Sequence, residues 1–162
     1  MAVNREGPAG TLAWAVRESL VRYVTVVGRG GYTVNDGATE CEGGQFVFTL
    51  RRAVREDDDW RLSFAGALRF TAHHGVLDIL IKDPELVIGP QGGVLATHIS
   101  GDPDELIAVA TLGPASPVES GGQLVWSEVS THLVSAGVGL FGNVYPIGTD
   151  MAPLKISVLP NL

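Results

Sequence analysis

The stretch Trp60–Ala72, WRLSFAGALRFTA, decides the fold class. Its large apolar side chains occupy alternate positions on either side of a central glycine: Leu62, Phe64, Leu68 and Phe70. A period of two residues is typical of a β-strand that buries one face and exposes the other. The stretch therefore predicts a strand that lies against a hydrophobic core.

Further stretches alternate in the same way, and each is bounded by Gly, Pro, Asn or Asp. They are Gln45–Arg52, Val76–Lys82, Leu86–Gly89, Val94–Ile99, Glu105–Leu112 and Leu154–Leu159. Short strands at close spacing, without helices between them, favour antiparallel pairing over parallel βαβ units. We therefore expect a mainly β domain, either an antiparallel β-sandwich or a barrel-like fold, with one short N-terminal helix.

That helix is predicted over Thr11–Tyr23. Apolar residues recur there, and just beyond, at the four-residue spacing of one helix face. They are Leu12, Val16, Leu20 and Val24. The β-branched run Val24–Val27 then favours a strand, which Gly28 ends.

We expect a single domain over residues 1–162, with residues 1–9 as a flexible N-terminal segment. Pro, Ser and Gly are frequent in Gly113–Gly122, which predicts a surface loop. The acidic run Glu56–Asp59 predicts a hairpin turn.

Composition argues against several classes of partner. The chain is 45% hydrophobic and 18% charged and carries 21 glycines, which is typical of a packed, turn-rich β protein. Its net charge of −7 would repel nucleic acid, so no nucleic-acid partner is expected. The apolar runs are far shorter than the ~20 residues that a spanning helix needs, so no membrane span is expected.

The compartment is left open by the sequence. The N-terminus MAVNREGPAG lacks the regions of a signal peptide. We expect a cytoplasmic protein if the sequence is read as it stands, and a secreted or cell-surface protein if it is an excised part of a longer chain. The single cysteine, Cys41, allows no intramolecular disulfide.

The sequence contains no motif of nucleophilic or zinc catalysis, such as GxSxG or HExxH. The glycine cluster Gly28–Gly31 lacks the GK[ST] ending of a phosphate loop and is interpreted as a turn between strands. Asp102, Asp104 and Glu105 lack the spacing of a calcium loop and are interpreted as loop acids. The expectation is a ligand-binding domain and not an enzyme.

Two adjacent histidines stand where the decisive strand ends, just before Gly75. Continuing the alternation places His74 on the buried face with Phe70, and His73 on the opposite face with Thr71. The glycine also leaves room beside the imidazoles for something bulky. The two histidines are therefore candidate ligand-binding residues.

Several short motifs follow one another along nearly the whole chain. They are WAVRESLVRY (Trp14–Tyr23), DGA (Asp36–Ala38), GQFVF (Gly44–Phe48), FTAHHGVLD (Phe70–Asp78), DP (Asp83, Pro84) and FGNVYPIGT (Phe141–Thr149). Their order and spacing together resemble the HtaA domain of actinobacterial haem-uptake proteins.

The resemblance implies a β-rich domain that holds one ferric haem b without a covalent bond. It implies Tyr23 as the axial ligand of the haem iron, because the family's tyrosine ends the first motif. It also implies a histidine hydrogen-bonded to that tyrosine. His73 is the first choice and His74 the alternative, because Ala72 stands where the family usually has a glycine.

Other aromatic and histidine residues receive lesser roles. Tyr32 and Tyr145 are the alternative phenol ligands. His98 and His132 are interpreted as incidental residues without partners. The tryptophans are interpreted as core or rim aromatics: Trp14, Trp60 and Trp126.

The predicted function is the capture, carriage or buffering of ferric haem, with a haem donor or acceptor protein as a further partner. No turnover is expected beyond incidental peroxidase activity of bound haem. The alternative from another class is an adhesive or carbohydrate-binding β-sandwich module, in which the family-like residues serve only as scaffold. The sequence leaves the oligomeric state undetermined.

Overall fold

A computed structural model describes residues 9–41, 44–98 and 105–159 of the chain. The strands within these ranges are β1 (Gly10–Trp14), β2 (Gly31–Asn35), β3 (Thr39–Cys41), β4 (Gln45–Glu56), β5 (Asp59–Ala65), β6 (Ala67–Ala72), β7 (Leu77–Gly89), β8 (Gly92–His98), β9 (Leu106–Leu112), β10 (Val118–Ser120), β11 (Gln123–Leu133) and β12 (Asp150–Val158). The helical elements are α1 (Glu18–Arg22), a π-helical turn (Tyr23–Val27), a 3-10 turn (His73–Gly75) and α2 (Ser135–Leu140).

Eight of the strands close into an antiparallel barrel. Their order around the ring is β7, β5, β4, β1, β12, β11, β9 and β8, and β8 pairs with β7 to complete it. β6 and β2 extend the sheet from the first half of β7, while β3 and β10 add to β4 and β11. The prediction of a mainly β, antiparallel fold is confirmed, and of its two alternatives the barrel is the correct one.

The decisive stretch forms two collinear strands separated by Gly66. β5 pairs with residues 85–88 of β7, and β6 pairs with residues 77–82 of the same strand. Gly66 has a φ of 145°, and a Cβ atom there would lie 2.6 Å from the Cβ of Ala38. Because the glycine occupies one position of the alternation, the apolar residues before and after it share one face. All four are buried, as the pattern predicts: Leu62, Phe64, Leu68 and Phe70.

Large aromatic residues fill the barrel. The fully buried ones are Trp14, Phe46, Phe48, Phe64, Phe70, Trp126 and Phe141. Trp60 is half-buried and meets Trp126 edge to face, with ring centroids 5.7 Å apart. Trp14 and Trp126 are therefore core residues and Trp60 lies at the rim, in agreement with the prediction.

The predicted helix over Thr11–Tyr23 is wrong in its first half. Residues 10–14 form β1, which pairs with β12 on one side and β4 on the other. Leu12 and Trp14 are both buried and lie two residues apart. The sequence of this segment therefore carried the two-residue period of a strand as well as the four-residue spacing of a helix. Val16 has a left-handed φ of 60° and turns the chain from β1 toward the five-residue helix α1.

Other strand predictions are corrected in their extent. Residues 77–82 and Leu86–Gly89 belong to one strand, β7, which continues through a bulge where Asp83 has a φ of 43°. Val76 lies in the turn before this strand. The predicted loop Gly113–Gly122 contains the short strand β10. The acidic hairpin turn is confirmed, since Glu56 pairs with Asp59 where β4 and β5 meet.

Some sequence expectations lie outside the described residues. They concern residues 1–8 of the N-terminal segment, the strand end at Ile99, and Asp102 and Asp104. In the described part of the chain, no helix combines the length and apolar character needed to cross a bilayer.

Candidate functional site

Tyr23 stands at the point where α1 widens into the π-helical turn. The amide of Gly28 donates to the carbonyl of Tyr23 over 2.8 Å, across five residues. Val24–Val27 therefore continue the helix, and the expectation of a strand there is wrong. Such π-helical turns are rare and often occur at functional sites. Here the turn holds the half-buried Tyr23 at the end of α1.

Two glycines let the segment after the π-helical turn approach β6 closely. A Cβ atom at Gly28 would lie 2.7 Å from the Cβ of Ala72, and one at Gly30 would lie 1.8 Å from the carbonyl oxygen of Thr71. Across the same contact, the amide of His73 donates to the carbonyl of Gly28 over 3.2 Å. The glycine cluster thus joins a helical turn to a strand, and not two strands as predicted.

The chain turns sharply where β6 ends. His73, His74 and Gly75 have φ values of 53°, 57° and 89°, three left-handed residues in succession. Left-handed backbone in non-glycine residues is uncommon and costs free energy, and it is concentrated at functional sites. The alternation of β6 stops at this turn, so the predicted placement of His74 on the buried face is wrong; both imidazoles are exposed.

The turn brings His73 to Tyr23. The Tyr23 hydroxyl lies 2.6 Å from Nε2 of His73, and the two ring centroids are 5.6 Å apart at an interplanar angle of 61°. When the imidazole proton is on Nδ1, Nε2 accepts the phenol hydrogen. His74 makes no hydrogen bond or ion pair with the described residues. The geometry therefore pairs Tyr23 with the first of the two candidate histidines.

Exposed apolar side chains occur in the turn that begins at Tyr23 and directly after the turn that begins at His73. Val26 and Val27, in the π-helical turn, are 67% and 64% exposed, and Val76, after the 3-10 turn, is 87% exposed. Large apolar groups that cluster at the surface mark ligand or partner sites more often than chance. We call Val26, Val27 and Val76 the valine rim.

A third segment, Phe141–Thr149, lies beside the helix that leads to Tyr23 and beside the start of β7, which follows the 3-10 turn. A Cβ atom at Gly142 would lie 2.6 Å from Leu77, just after the 3-10 turn. The hydroxyl of Tyr145 is 3.4 Å from that of Ser19, which precedes Tyr23 by one helical turn and shares its face of α1. This segment also exposes apolar side chains, Val144 and Ile147.

Comparison with known proteins gives the family. The HtaA family model matches residues 9–157. The chain belongs to the HtaA domain family. This confirms the resemblance read from the short motifs. A search of curated proteins found no significant match.

Solved structures share the fold of this HtaA-family domain. The C-terminal domain of HtaA from Corynebacterium glutamicum is 23% identical, with a TM-score of 0.79 over 94% of this chain and 97% of that one. The N-terminal domain of the same protein is 25% identical, with a TM-score of 0.78 over 98% and 100%. HtaB from the same organism, described as a heme binding protein, is 20% identical, with a TM-score of 0.68 over 92% and 91%.

The alternative phenols of this HtaA-family domain are engaged elsewhere. The Tyr32 hydroxyl donates to Oε2 of Glu40 over 2.6 Å, and this hydrogen bond to a carboxylate raises the pKa of Tyr32. A phenol held protonated by an anion is a poor metal ligand. Tyr145 lies against Ser19 and Arg17, and not against a histidine.

The remaining histidines were expected to have no partners, and this is wrong. Nε2 of His98 lies 2.8 Å from Oε2 of Glu85, across the β7–β8 pair, and Nε2 of His132 lies 2.7 Å from Oδ1 of Asp150. Each pair joins two neighbouring strands, and neither includes Tyr23. Within the described ranges, no cluster of three or more His, Cys, Asp or Glu side chains is arranged to hold a metal ion by itself.

Proposed function

We propose that this HtaA-family domain binds one ferric haem b without a covalent bond, with Tyr23 as the axial ligand of the iron. The observation that carries the proposal is the 2.6 Å contact between the Tyr23 hydroxyl and His73. The two turns that hold these residues also lead into the exposed valine rim. In this role the domain captures, carries or buffers haem and exchanges it with a donor or acceptor protein. It performs no turnover of its own.

The donor set fits ferric haem. Bound haem supplies a hard ferric ion, for which an anionic oxygen such as a phenolate is a suitable axial ligand. A free tyrosine has a pKa near 10, so a phenol at neutral pH must lose its proton to become that ligand. An imidazole within hydrogen-bond reach accepts the proton and fixes the direction of the phenol oxygen. His73 is in that position.

The surroundings of the pair fit the porphyrin as well. Cofactor pockets are mostly apolar, with a few polar groups that set orientation. Val26 and Val27 in the turn that begins at Tyr23, and Val76 directly after the turn that begins at His73, offer exposed apolar surface. Covering them with a flat apolar ring would remove this area from water. The heme binding of HtaB, which shares the fold, agrees with the proposal.

The test is an absorbance titration of the purified protein with ferric haemin. Wild type is expected to saturate at one haem per chain. Tyr23→Phe is expected to lose most of the affinity, because the phenyl ring keeps the packing but cannot ligate. Tyr32→Phe is the matched control and should bind like wild type. If wild type shows no saturable change, the proposal fails and a non-haem binding module takes its place.

A further inference from the structure

Arg17 stands at the entrance to α1 and its backbone is held in place. The buried residue before it, Val16, accepts a hydrogen bond from the amide of Ala152 at 2.8 Å. The carbonyl of Arg17 accepts from the amides of Leu20 and Val21 at 3.0 and 3.2 Å, which starts the helix. The direction of the Arg17 side chain is therefore set by the junction of β1 and α1.

The side chain of Arg17 reaches across to the Phe141–Thr149 segment. Its guanidinium carbon lies 4.9 Å from the centroid of the Tyr145 ring, within the range of a cation–π contact. Nη1 donates to the carbonyl of Asp150, the first residue of β12. Arg17 thus spans from α1 to the start of β12, with Tyr145 between them.

The two ends of the segment are attached to the barrel by other contacts. Gly142 packs on Leu77, and the amide of Gly148 donates to the carbonyl of Leu133 over 2.7 Å. Between these ends, the contacts described from Tyr145 to α1 are those with Arg17 and the long 3.4 Å contact with Ser19.

One donor of the Arg17 side chain takes no part in the contacts with Asp150 and Tyr145. Its Nε is buried and has no hydrogen-bond partner among the residues that the structure describes. A buried donor without a partner costs free energy, so the guanidinium is not placed to satisfy all of its donors. Its guanidinium carbon instead lies over the Tyr145 ring.

We propose that Arg17 is a positioning residue for ligand retention: it holds Tyr145, and with it the middle of the Phe141–Thr149 segment, against the face of α1 that carries Ser19 and Tyr23. This inference rests on the proposed function, because retention refers to bound haem. The segment then forms a wall of the site beside the Tyr23–His73 pair, and Arg17 sets how firmly that wall is closed.

The test has one arm without haem and one with it. The chain contains three tyrosines, so ring carbon labelling of tyrosine gives a simple NMR spectrum. In Arg17→Gln, the Tyr145 ring signals are expected to move toward those of free tyrosine, while those of Tyr23 and Tyr32 stay in place. Arg22→Gln, a change in the exposed arginine of the Arg22–Glu18 ion pair, is the matched control and should leave all three unchanged.

The second arm measures the dissociation rate of haem into excess apomyoglobin. Arg17→Gln is expected to raise it about two- to fivefold, the factor that a cation–π contact of this kind contributes. Arg17→Lys, which keeps the charge but loses the planar guanidinium, should fall between Arg17→Gln and wild type. In a Tyr145→Leu background, Arg17→Gln should add nothing, because the group through which it acts is gone.

Two results would overturn the inference. In the first, Arg17→Gln changes neither the Tyr145 ring signals nor the haem dissociation rate relative to Arg22→Gln. In the second, Arg17→Gln raises the dissociation rate just as much in the Tyr145→Leu background. The second result would mean that Arg17 acts on the ligand directly. If wild type binds no haem, the proposed function fails, and the NMR arm still decides whether Arg17 positions Tyr145.

Discussion

The α-carbon of Gly30 faces the carbonyl oxygen of Thr71 so closely that an added Cβ atom would lie 1.8 Å from that oxygen. Both atoms belong to the backbone, so a rotamer change cannot relieve the clash that a side chain at residue 30 would cause. The approach is what lets the π-helical turn with Tyr23 lie against the end of β6, where His73 follows.

Gly30→Ala is therefore expected to separate these two segments. The variant should lower the free energy of unfolding by about 1–3 kcal/mol, the usual cost of overpacking. It should also weaken haem binding, because Tyr23 and His73 move apart. Urea unfolding and haemin titration measure the two effects. Gly31→Ala is the control, since a Cβ atom there would meet no atom of the described residues within 4 Å. Equal behaviour of the two variants would contradict a close approach at Gly30.

The two adjacent histidines should differ in effect. His73→Ala is expected to lower haem affinity by about 10-fold or more, the usual loss when a group that orients a ligand is removed. His74→Ala should bind like wild type, because its imidazole has no hydrogen bond to Tyr23. Titration of both variants with ferric haemin measures this. A larger loss in His74→Ala than in His73→Ala would reverse the assignment.

The valine rim should contribute to binding and not to folding. Val76 is 87% exposed, so Val76→Ser is expected to leave the unfolding midpoint unchanged. If haem covers this side chain, the variant should bind about fivefold more weakly, which corresponds to about 1 kcal/mol of lost apolar burial. Val118→Ser, at a 66% exposed valine of β10, is the matched control. Equal haem affinities of the two variants would remove Val76 from the site.

An ion pair braces the two strands that flank the 3-10 turn. Nε and Nη2 of Arg69 in β6 donate to the two carboxylate oxygens of Asp78 in β7, over 2.7 and 2.5 Å. Hydrogen bonds from Arg69 lower the pKa of Asp78. A lowered pKa in the folded state means that the stabilisation is complete above the ordinary pKa and is lost as the pH falls through the folded value.

Asp78→Asn should consequently be less stable than wild type at pH 7, and the difference should disappear well below pH 4. Because the Asp78 side chain is 38% exposed, solvent screens the pair and the difference should be about 0.5 kcal/mol. Unfolding curves of both proteins at several pH values measure it. A difference that stays constant down to pH 2 would show that the pair's charge is not the cause.

Period-two patterning predicted much of the barrel from sequence, because alternating residues such as Leu62 and Phe70 report one buried face directly. It failed where backbone irregularity interrupts the alternation. In β11, Glu128 has a left-handed φ of 48° and the register with β12 shifts on either side of Val129. No period could be read through that strand, and no strand was predicted there.

The candidate site was only partly predictable for a related reason. Tyr23 came from the resemblance to a family motif, and the short helix that carries it could be read from spacing. The choice between the two histidines could not be read from spacing. Counting along β6 assumes extended backbone, whereas His73 and His74 both have left-handed φ values. The contact of Tyr145 with Arg17 joins residues 128 positions apart, and no local pattern in the sequence reports it.

Ligation of haem iron by Tyr23 is tested most directly by a resonance Raman spectrum of the ferric haem-loaded protein, made with normal and with ring-deuterated tyrosine. Phenolate ligation predicts tyrosine ring bands, enhanced through the iron, that shift with the label in wild type and in Tyr32→Phe and are missing in Tyr23→Phe. Label-sensitive bands that persist in Tyr23→Phe, or a loaded wild type without any such bands, would contradict Tyr23 as the ligand.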